Sequence, residues 1–428
     1  MANAKSEPAE TNHADLIIVG GGAAGLATAI FTARRRPGRS ILVLDSARKL
    51  GAKILVSGGG RCNATNVAVS PDDFWGGSRN VVRRILRAFT EKQTVEFFRE
   101  IGVGLHEEEN GKLFPDSNSA KTVLDALLGE CQQLGIRILT GRRVLAVARE
   151  AGGYAVRALT SSDATAEFQA PCLVLATGGR SLPKTGSDGT GYALAADLGH
   201  SLVPTTPGLA PLILEGDFHV ALSGISQVVE ITIRIEYEKP LRLRGSMLWT
   251  HFGVSGPVIL DASRHWHRAK LEQRTVALGI NFLPDDTFET ADRMLIATAE
   301  QQGRTQLHNA LGALCPDRFL RALLRHLKID ASTPMNVVSR ETRRRLVHAL
   351  LDFPLPIRDS RGYGFAEVTA GGVALEEIDP ATMESRKSPG LFLVGEILDV
   401  DGRIGGFNFQ WAWSSGWVAG KAVASREG

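Results

Sequence analysis

Residues Asp15 to Gly25 read D-L-I-I-V-G-G-G-A-A-G, and no other run constrains the fold of this chain as tightly. Asp15 to Gly20 holds a continuous apolar run of the kind a strand buried on both faces shows. Gly20, Gly22 and Gly25 follow in G-x-G-x-x-G spacing and lead into small residues, Ala23 to Ala33, of helical character. After a polar break at Arg34 to Arg39, with Pro37 and Gly38, comes a second buried run, Ser40 to Asp45. Strand, helix and strand thus fit within about thirty residues, the size of a βαβ unit. Gly20 permits the tight turn, Gly22 lets a pyrophosphate approach the backbone and the helix N-terminus, and Gly25 allows close helix-to-strand packing. Asp45 ends the second strand, where it can accept hydrogen bonds from the hydroxyls of an adenosine ribose. A dinucleotide-binding fold is the expectation.

The same stretch could be taken for a membrane span, since Leu16 to Ala33 carries no charge. Its clustered glycines argue instead for a strand, a turn and a buried helix. The first thirteen residues are polar, with no basic segment followed by an apolar core, and read as a frayed leader and not a signal peptide. Cys62, Cys131, Cys172 and Cys315 lie far apart without a C-x-x-C pair, so no metal site is expected and a reducing cytoplasm fits best. A formal net charge of +3 on 428 residues gives no long-range field for a membrane or a nucleic acid, and a small-molecule substrate is the expected partner. Arg343, Arg344 and Arg345 read as a solvated helix face, because no aromatic residues interleave with them.

At this length two or three packed units are expected. Helices are predicted at Asn80 to Ile101, Ala120 to Leu134 and Gly191 to Leu198. Strands are predicted at Gly135 to Leu139, Arg143 to Arg149, Tyr154 to Leu159 and Leu173 to Ala176. Past Leu202 the pattern changes to alternation, as in Val228 to Ile235 and Thr275 to Phe282, which marks half-buried antiparallel strands. Helical periodicity takes over from Thr287 to Ile329 and again from Ser339 to Leu351. Buried-strand character returns near Gly362 and ends in Leu391 to Glu396 and a last helix from about Phe409 to Ser425. The predicted architecture is α/β: a Rossmann-like domain built from residues 14–200 and 362–425, interrupted by a β-barrel-like insert (201–285 and 335–361) and a helical insert (286–334).

Three further segments narrow the ligand. Leu173 to Gly179 (L-V-L-A-T-G-G) and Leu391 to Glu396 (L-F-L-V-G-E) resemble the second dinucleotide segment and the last strand of the glutathione-reductase-like flavoproteins, in which an acid binds the ribitol chain. Gly405-Gly406-Phe407-Asn408 opens the last helix, whose N-terminus can stabilise charge on a reduced flavin. Ser57 to Asn63 (S-G-G-G-R-C-N) suits a backbone lying flat against a planar ring. Arg61 and Asn63 there can orient flavin carbonyls or substrate, and Lys53 can meet phosphate or ribitol.

The segments Gly51 to Asn66, Leu113 to Ala120 (L-F-P-D-S-N-S-A), Thr250 to Pro257 (T-H-F-G-V-S-G-P), Val368 to Val373 (V-T-A-G-G-V) and Gly395 to Ala412 together resemble the aminoacetone-oxidase-type family of FAD flavoproteins. The resemblance covers nearly the whole chain and implies an FAD fold with barrel-like and helical inserts. It also implies FAD contacts at Gly20, Gly22, Ala23, Ala24, Asp45, Lys53, Gly59, Gly60, Arg61, Cys62, Asn63, Val144, Thr177, Gly178, Gly395, Glu396, Asp399, Gly406, Phe407, Asn408 and Gln410. Asp45 stands where Glu is common in that family, and Phe407 where Tyr is common, which removes any role for a phenol hydroxyl.

A second G-x-G-x-x-G unit for a nicotinamide is missing, so NAD(P)H is expected only as a diffusible electron donor. The expected activity is hydride transfer at flavin N5 with a small organic substrate, either oxygen-linked amine oxidation or NAD(P)H-linked reduction. The sequence names no catalytic residue, and Arg61, Cys62 and Asn63 are the candidates near the flavin. Cys62 has no second cysteine close by, which favours a packed thiol over a catalytic disulfide. His251 reads as a hydrogen-bonded structural histidine ahead of a base. An alternative from another class is a flavin-dependent protein that modifies or binds nucleic acid (tRNA), using the arginines between Arg318 and Arg361.

Overall fold

The computed structural model describes residues 12–160 and 164–426; of the polar leader, residues 1–11 lie outside that range. The described residues form two compact units, one within residues 12–205 and 368–426, the other 206–367.

The first unit is built on a parallel sheet of five strands. Strand β1 (Leu16–Val19) sits at its centre, between β2 (Ile41–Asp45) and β4 (Cys172–Leu175); β3 (Arg137–Thr140) and β5 (Leu391–Leu393) form the edges. Leu16 pairs with both Ile41 and Cys172, and Leu173 with Leu391. All residues of β1, β4 and β5 are buried, as strands covered on both faces require. Helix α1 (Ala23–Arg35) follows β1 and carries Arg34 and Arg35 in its last turn, where cations favour the negative helix end.

Against α1 lies the last helix, α3 (Phe407–Ala424). The approach is close because Gly416 and Gly420 face it: a Cβ at Gly416 would come within 3.0 Å of the Ala24 carbonyl oxygen, and one at Gly420 within 2.9 Å of Phe31 Cβ. A three-stranded antiparallel sheet (residues 143–150, 153–159 and 165–170) is attached to this unit. Its third strand, Thr165–Ala170, had no clear signal in the sequence.

The helix predicted from Asn80 to Ile101 is two helices, Arg79–Ala88 and Glu91–Glu100. The break has a local cause. Thr90 caps the second helix, its hydroxyl accepting from the Gln93 N–H, while the Gln93 side chain accepts from the Thr90 N–H at 2.9 Å.

The second unit carries a seven-stranded antiparallel sheet around Ser226–Ile235 and Leu241–Thr250, with helix Pro257–Leu271 beside it. Helices Phe288–Gln301, Asp317–His326 and Arg340–Leu351 complete its apolar core, in which Trp249, Ile280 and Phe319 are buried. The T-H-F-G-V-S-G-P segment is a strand turn in this sheet. A Cβ at Gly253 would lie 2.3 Å from the Leu212 carbonyl oxygen, so the tight pairing there requires glycine.

His251 sits exposed on that turn, edge-on to the ring of Phe252. Nor are the three consecutive arginines simply a solvated face. Arg343 pairs with Asp292 at 2.7 Å, Arg344 covers the Phe288 ring, and Arg345 donates to the Leu327 carbonyl. No helix among the described residues is long and apolar enough to cross a membrane.

Candidate cofactor and substrate site

The glycine loop between β1 and α1 divides into positions that close the fold and one that leaves room. A Cβ at Gly20 would lie 2.3 Å from the Ala176 carbonyl oxygen and one at Gly25 1.9 Å from that of Gly20, so both are fixed by backbone contact. At Gly22 a Cβ would meet nothing within 4 Å. Gly22 is also the N-cap of α1, with no side-chain cap and no acidic residue in the first turn, so the helix N-terminus keeps free donors for an anion.

Asp45 shapes this loop from the end of β2. Its carboxylate accepts from the Gly21 N–H at 2.7 Å and from the Ala47 N–H at 2.7 Å. Burial pushes the carboxyl up from its ordinary value against the pull of these two donors. Each oxygen retains a lone pair for a ribose hydroxyl.

Lys53 and Glu396 meet directly. Lys53 Nζ lies 2.8 Å from Glu396 Oε2 and 3.0 Å from Ser181 Oγ, and Glu396 Oε1 accepts from the Ser181 hydroxyl and the Thr369 N–H, each at 2.8 Å. Thr369 Oγ1 in turn accepts from the N–H groups of Arg180 and Ser181. Sequence reading treated Lys53 and Glu396 as separate ligand contacts and did not find Ser181 or Thr369. Thr369 lay within the quoted V-T-A-G-G-V segment without a role. Beside this network Gly178 takes φ +70°, and Thr177 Oγ1 is buried with no partner among the described residues.

The G-G-G-R-C-N segment ends helix α2 (Ala52–Gly60), whose regular turn gives way to left-handed backbone at Gly58 and Gly59. Gly58, Gly59 and Gly60 are exposed, and the backbone over Gly59 is open. Arg61 lies over the Phe114 ring, its Cζ 4.1 Å from the ring centre, and pairs with Glu108 at 2.5 Å. Cys62 is fully buried, and burial pushes its thiol up to about 12. A nucleophilic cysteine needs an accessible thiolate, and the Cys62 thiol is shielded by its packing.

Asn63 faces inward. With its amide turned so that both ends are matched, it accepts from the Gly406 N–H at 3.1 Å and donates to the Thr65 carbonyl at 2.8 Å. It thus fixes the entrance of α3. Gln410 supports the same entrance: its oxygen accepts from Thr65 and Thr94, and its nitrogen donates to the Phe89 carbonyl and Ser414. That amide is saturated by protein partners, so the side chain supports the helix instead of offering a contact. Asn408 clamps Gly402 through its N–H and carbonyl, both at 2.8 Å. Phe407 is buried against Phe74, with Arg403 Cζ 4.2 Å from its ring centre. Gly395 sits against Ala24, Asp399 is buried near the end of the chain's last strand pair, and Val144 is buried in strand 143–150.

The open glycine, the uncapped helix start, the acid at the end of β2 and the buried Thr177 hydroxyl without a partner among the described residues fit a dinucleotide. Gly20, Gly22, Asp45, Thr177, Gly178 and the Lys53–Glu396 network are the groups that would hold it.

The HI0933-like protein Rossmann domain matches residues 14–422. A 3-dehydro-bile acid delta(4,6)-reductase from Clostridium scindens is 32% identical over 409 residues, 96% of this chain and 98% of that one. A ribosomal RNA dihydrouridine synthase from Escherichia coli is 34% identical over 404 residues, 94% of this chain and 96% of that one. Among solved structures, a 3-ketosteroid delta1-dehydrogenase from Sterolibacterium denitrificans superposes with a TM-score of 0.51 at 12% identity, covering 97% of this chain and 100% of that one, and shares the fold.

Proposed function

This chain belongs to the HI0933-like Rossmann-domain family and is an FAD-dependent oxidoreductase, and on that premise we propose that it reduces a carbon–carbon double bond conjugated to a carbonyl, with NAD(P)H as electron donor. One observation carries this reading. Two relatives of nearly equal similarity, at 32% and 34% identity, bear names for the same chemistry on different frames. The first names unsaturation in a ring bearing a 3-oxo group. The second names a pyrimidine in which the double bond beside a carbonyl has been saturated.

FAD bound in the glycine cradle supplies reversible hydride transfer through flavin N5. The chain's own residues do the rest. Gly22 and the start of α1 receive the pyrophosphate, Asp45 the adenosine ribose, and the Lys53–Glu396 network the polyol chain. The N-terminus of α3, fixed by Asn63, offers partial positive charge to the reduced ring system. All four cysteines are free and buried, so the chain offers no disulfide as a redox partner beside the cofactor. The wider set of FAD contacts implied by the motifs is part of this proposal, apart from the side chains of Gln410 and Cys62, which are committed to packing, and of Arg61.

The test is anaerobic. The FAD-loaded protein is titrated with NADH and NADPH, then mixed with a 3-oxo-Δ4 steroid acid or a uridine-containing RNA. Bleaching by a nicotinamide and recovery of the oxidised bands on adding one of the two acceptors is the expected result. A flavin that resists both nicotinamides but is bleached by an amine, with peroxide formed in air, would overturn it and place the chain with the aminoacetone-oxidase-type enzymes.

A further inference from the structure

The guanidinium of Arg61 is half-committed. Its Nη1 donates to Glu108 Oε1 at 2.5 Å and to Asn118 Oδ1 at 3.4 Å, while Nη2 and Nε have no partner among the described residues. The plane is held by Phe114 beneath it, and the side chain is 39% exposed, so the unused donors are pre-oriented and reachable. Arg61 follows directly on Gly58 to Gly60, and Leu55 and Val56 stand exposed one turn earlier, at 37% and 53%. Exposed apolar side chains thus stand on helix α2 just ahead of the glycine loop, and an oriented cation stands just after it.

Glu108 has a second partner waiting. His106 lies on the same strand, Leu105–Glu108, directly across from Phe114 in the antiparallel register. Its Nε2 is 3.5 Å from Glu108 Oε1, and its Nδ1 3.5 Å from Asp116 Oδ1. If Arg61 turns to another anion, the Glu108 carboxylate keeps a donor in His106 and is not left alone.

Resting on the reading of the chain as a reductase of conjugated double bonds, we propose that Arg61 is the anchor for an oxyanion of the substrate, exchanging its contact with Glu108 for a carboxylate or phosphate. The exchange moves no covalent bond. One charge-assisted pair replaces another, and the gain comes from the Nη2 and Nε donors, which two oxygens of a carboxylate or a phosphate meet in bidentate fashion and Glu108 does not. The apolar body of the substrate then lies along Leu55 and Val56.

The experiment is an equilibrium titration of the FAD-loaded protein, read by perturbation of the flavin spectrum and by the thermal unfolding midpoint. Uridine monophosphate is compared with uridine, and a 3-oxo-Δ4 bile acid with its methyl ester; the two pairs separate phosphate from carboxylate as the source of the anion. Wild type is expected to prefer one anion over its neutral counterpart by about ten- to hundredfold. Arg61→Gln should bring that ratio close to one with neutral binding unchanged, Arg61→Lys should restore part of it, and Glu108→Gln should raise it severalfold. Absence of anion preference in wild type, an unchanged ratio in Arg61→Gln, or loss of FAD from that variant would overturn the proposal. Binding with the predicted anion preference but no reduction of the bound compound would count against the proposed reaction and leave the anchor standing.

Discussion

Lys53 and Glu396, 343 residues apart in the chain, form an ion pair at 2.8 Å that joins helix α2 to the segment after β5. Glu396 is the better connected partner, because Thr369 N–H and Ser181 Oγ also donate to it. Removing it leaves Lys53 with only the Ser181 hydroxyl and takes the acceptor from two further donors, whereas removing Lys53 leaves the carboxylate two partners. Glu396→Ala is therefore expected to cost about 1–3 kcal/mol of stability, below the range of a fully buried pair because both side chains keep some water contact, and Lys53→Met to cost less. Urea unfolding of the FAD-free protein measures both, and an equal or reversed order would refute the asymmetry. FAD affinity, from quenching of flavin fluorescence, should fall in both variants.

Gly22 and Gly25 stand three positions apart and predict opposite outcomes on gaining a methyl group. At Gly25 the Cβ would sit 1.9 Å from a backbone oxygen, so Gly25→Ala should destabilise by about 3 kcal/mol or more, or fail to fold. At Gly22 nothing lies within 4 Å and φ is −83°, so Gly22→Ala should keep the FAD-free stability within about 0.5 kcal/mol. The added carbon falls where the pyrophosphate approaches, and FAD affinity should drop about tenfold or more. Thermal unfolding without cofactor and FAD titration together separate the two roles. Normal FAD binding by Gly22→Ala would remove the pyrophosphate from that position.

These two glycines were legible in the sequence because their spacing and their place between a buried strand and a helix say what each must do. The Lys53–Glu396 contact was not, since no local pattern tells a lysine which acid the fold will bring to it. Ser181 and Thr369 were invisible for the same reason. The break between Arg79–Ala88 and Glu91–Glu100 was readable: Thr90 and Gln93 stand in capping-box spacing, but apolar periodicity across the break suggested a single helix. Gly416 and Gly420, one helical turn apart, read in the sequence only as part of the last helix. Only the packing of α3 on α1 shows which neighbour their missing side chains admit.

Cys62 carries a prediction of its own. Burial pushes the thiols of Cys62, Cys131 and Cys315 up to about 12 and raises that of Cys172 as well. At pH 8 almost no thiolate is present to attack, and all four side chains are shielded. Native protein should therefore show none of its four thiols in a rapid colorimetric titration, and all four after denaturation in guanidinium. One fast-reacting thiol that is protected by FAD would return Cys62 to the list of catalytic candidates.

Acid should weaken both units, and the sign follows from which state holds protons more tightly. Burial lowers His200 from its ordinary value, against the pull of Glu377, and drives His265 to about 3 and His267 to about 4. A histidine kept neutral in the fold takes up a proton more readily when unfolded, so stability is complete above the ordinary histidine range and falls as pH drops through 6.5 toward 4. Glu377 adds to this lower down. Burial would raise it, but hydrogen bonds from Lys387, Ser201 and His200 hold it at about 2, so its contribution is present above 4.5 and fades toward pH 2. The urea midpoint should be level between pH 7 and 8 and decline steadily from about pH 6.5 to 4. His267→Gln should reduce the slope in that window by up to one proton equivalent, about 1.4 kcal/mol per pH unit. A midpoint that holds level down to pH 5, or rises, would mean that these histidines are protonated in the folded chain.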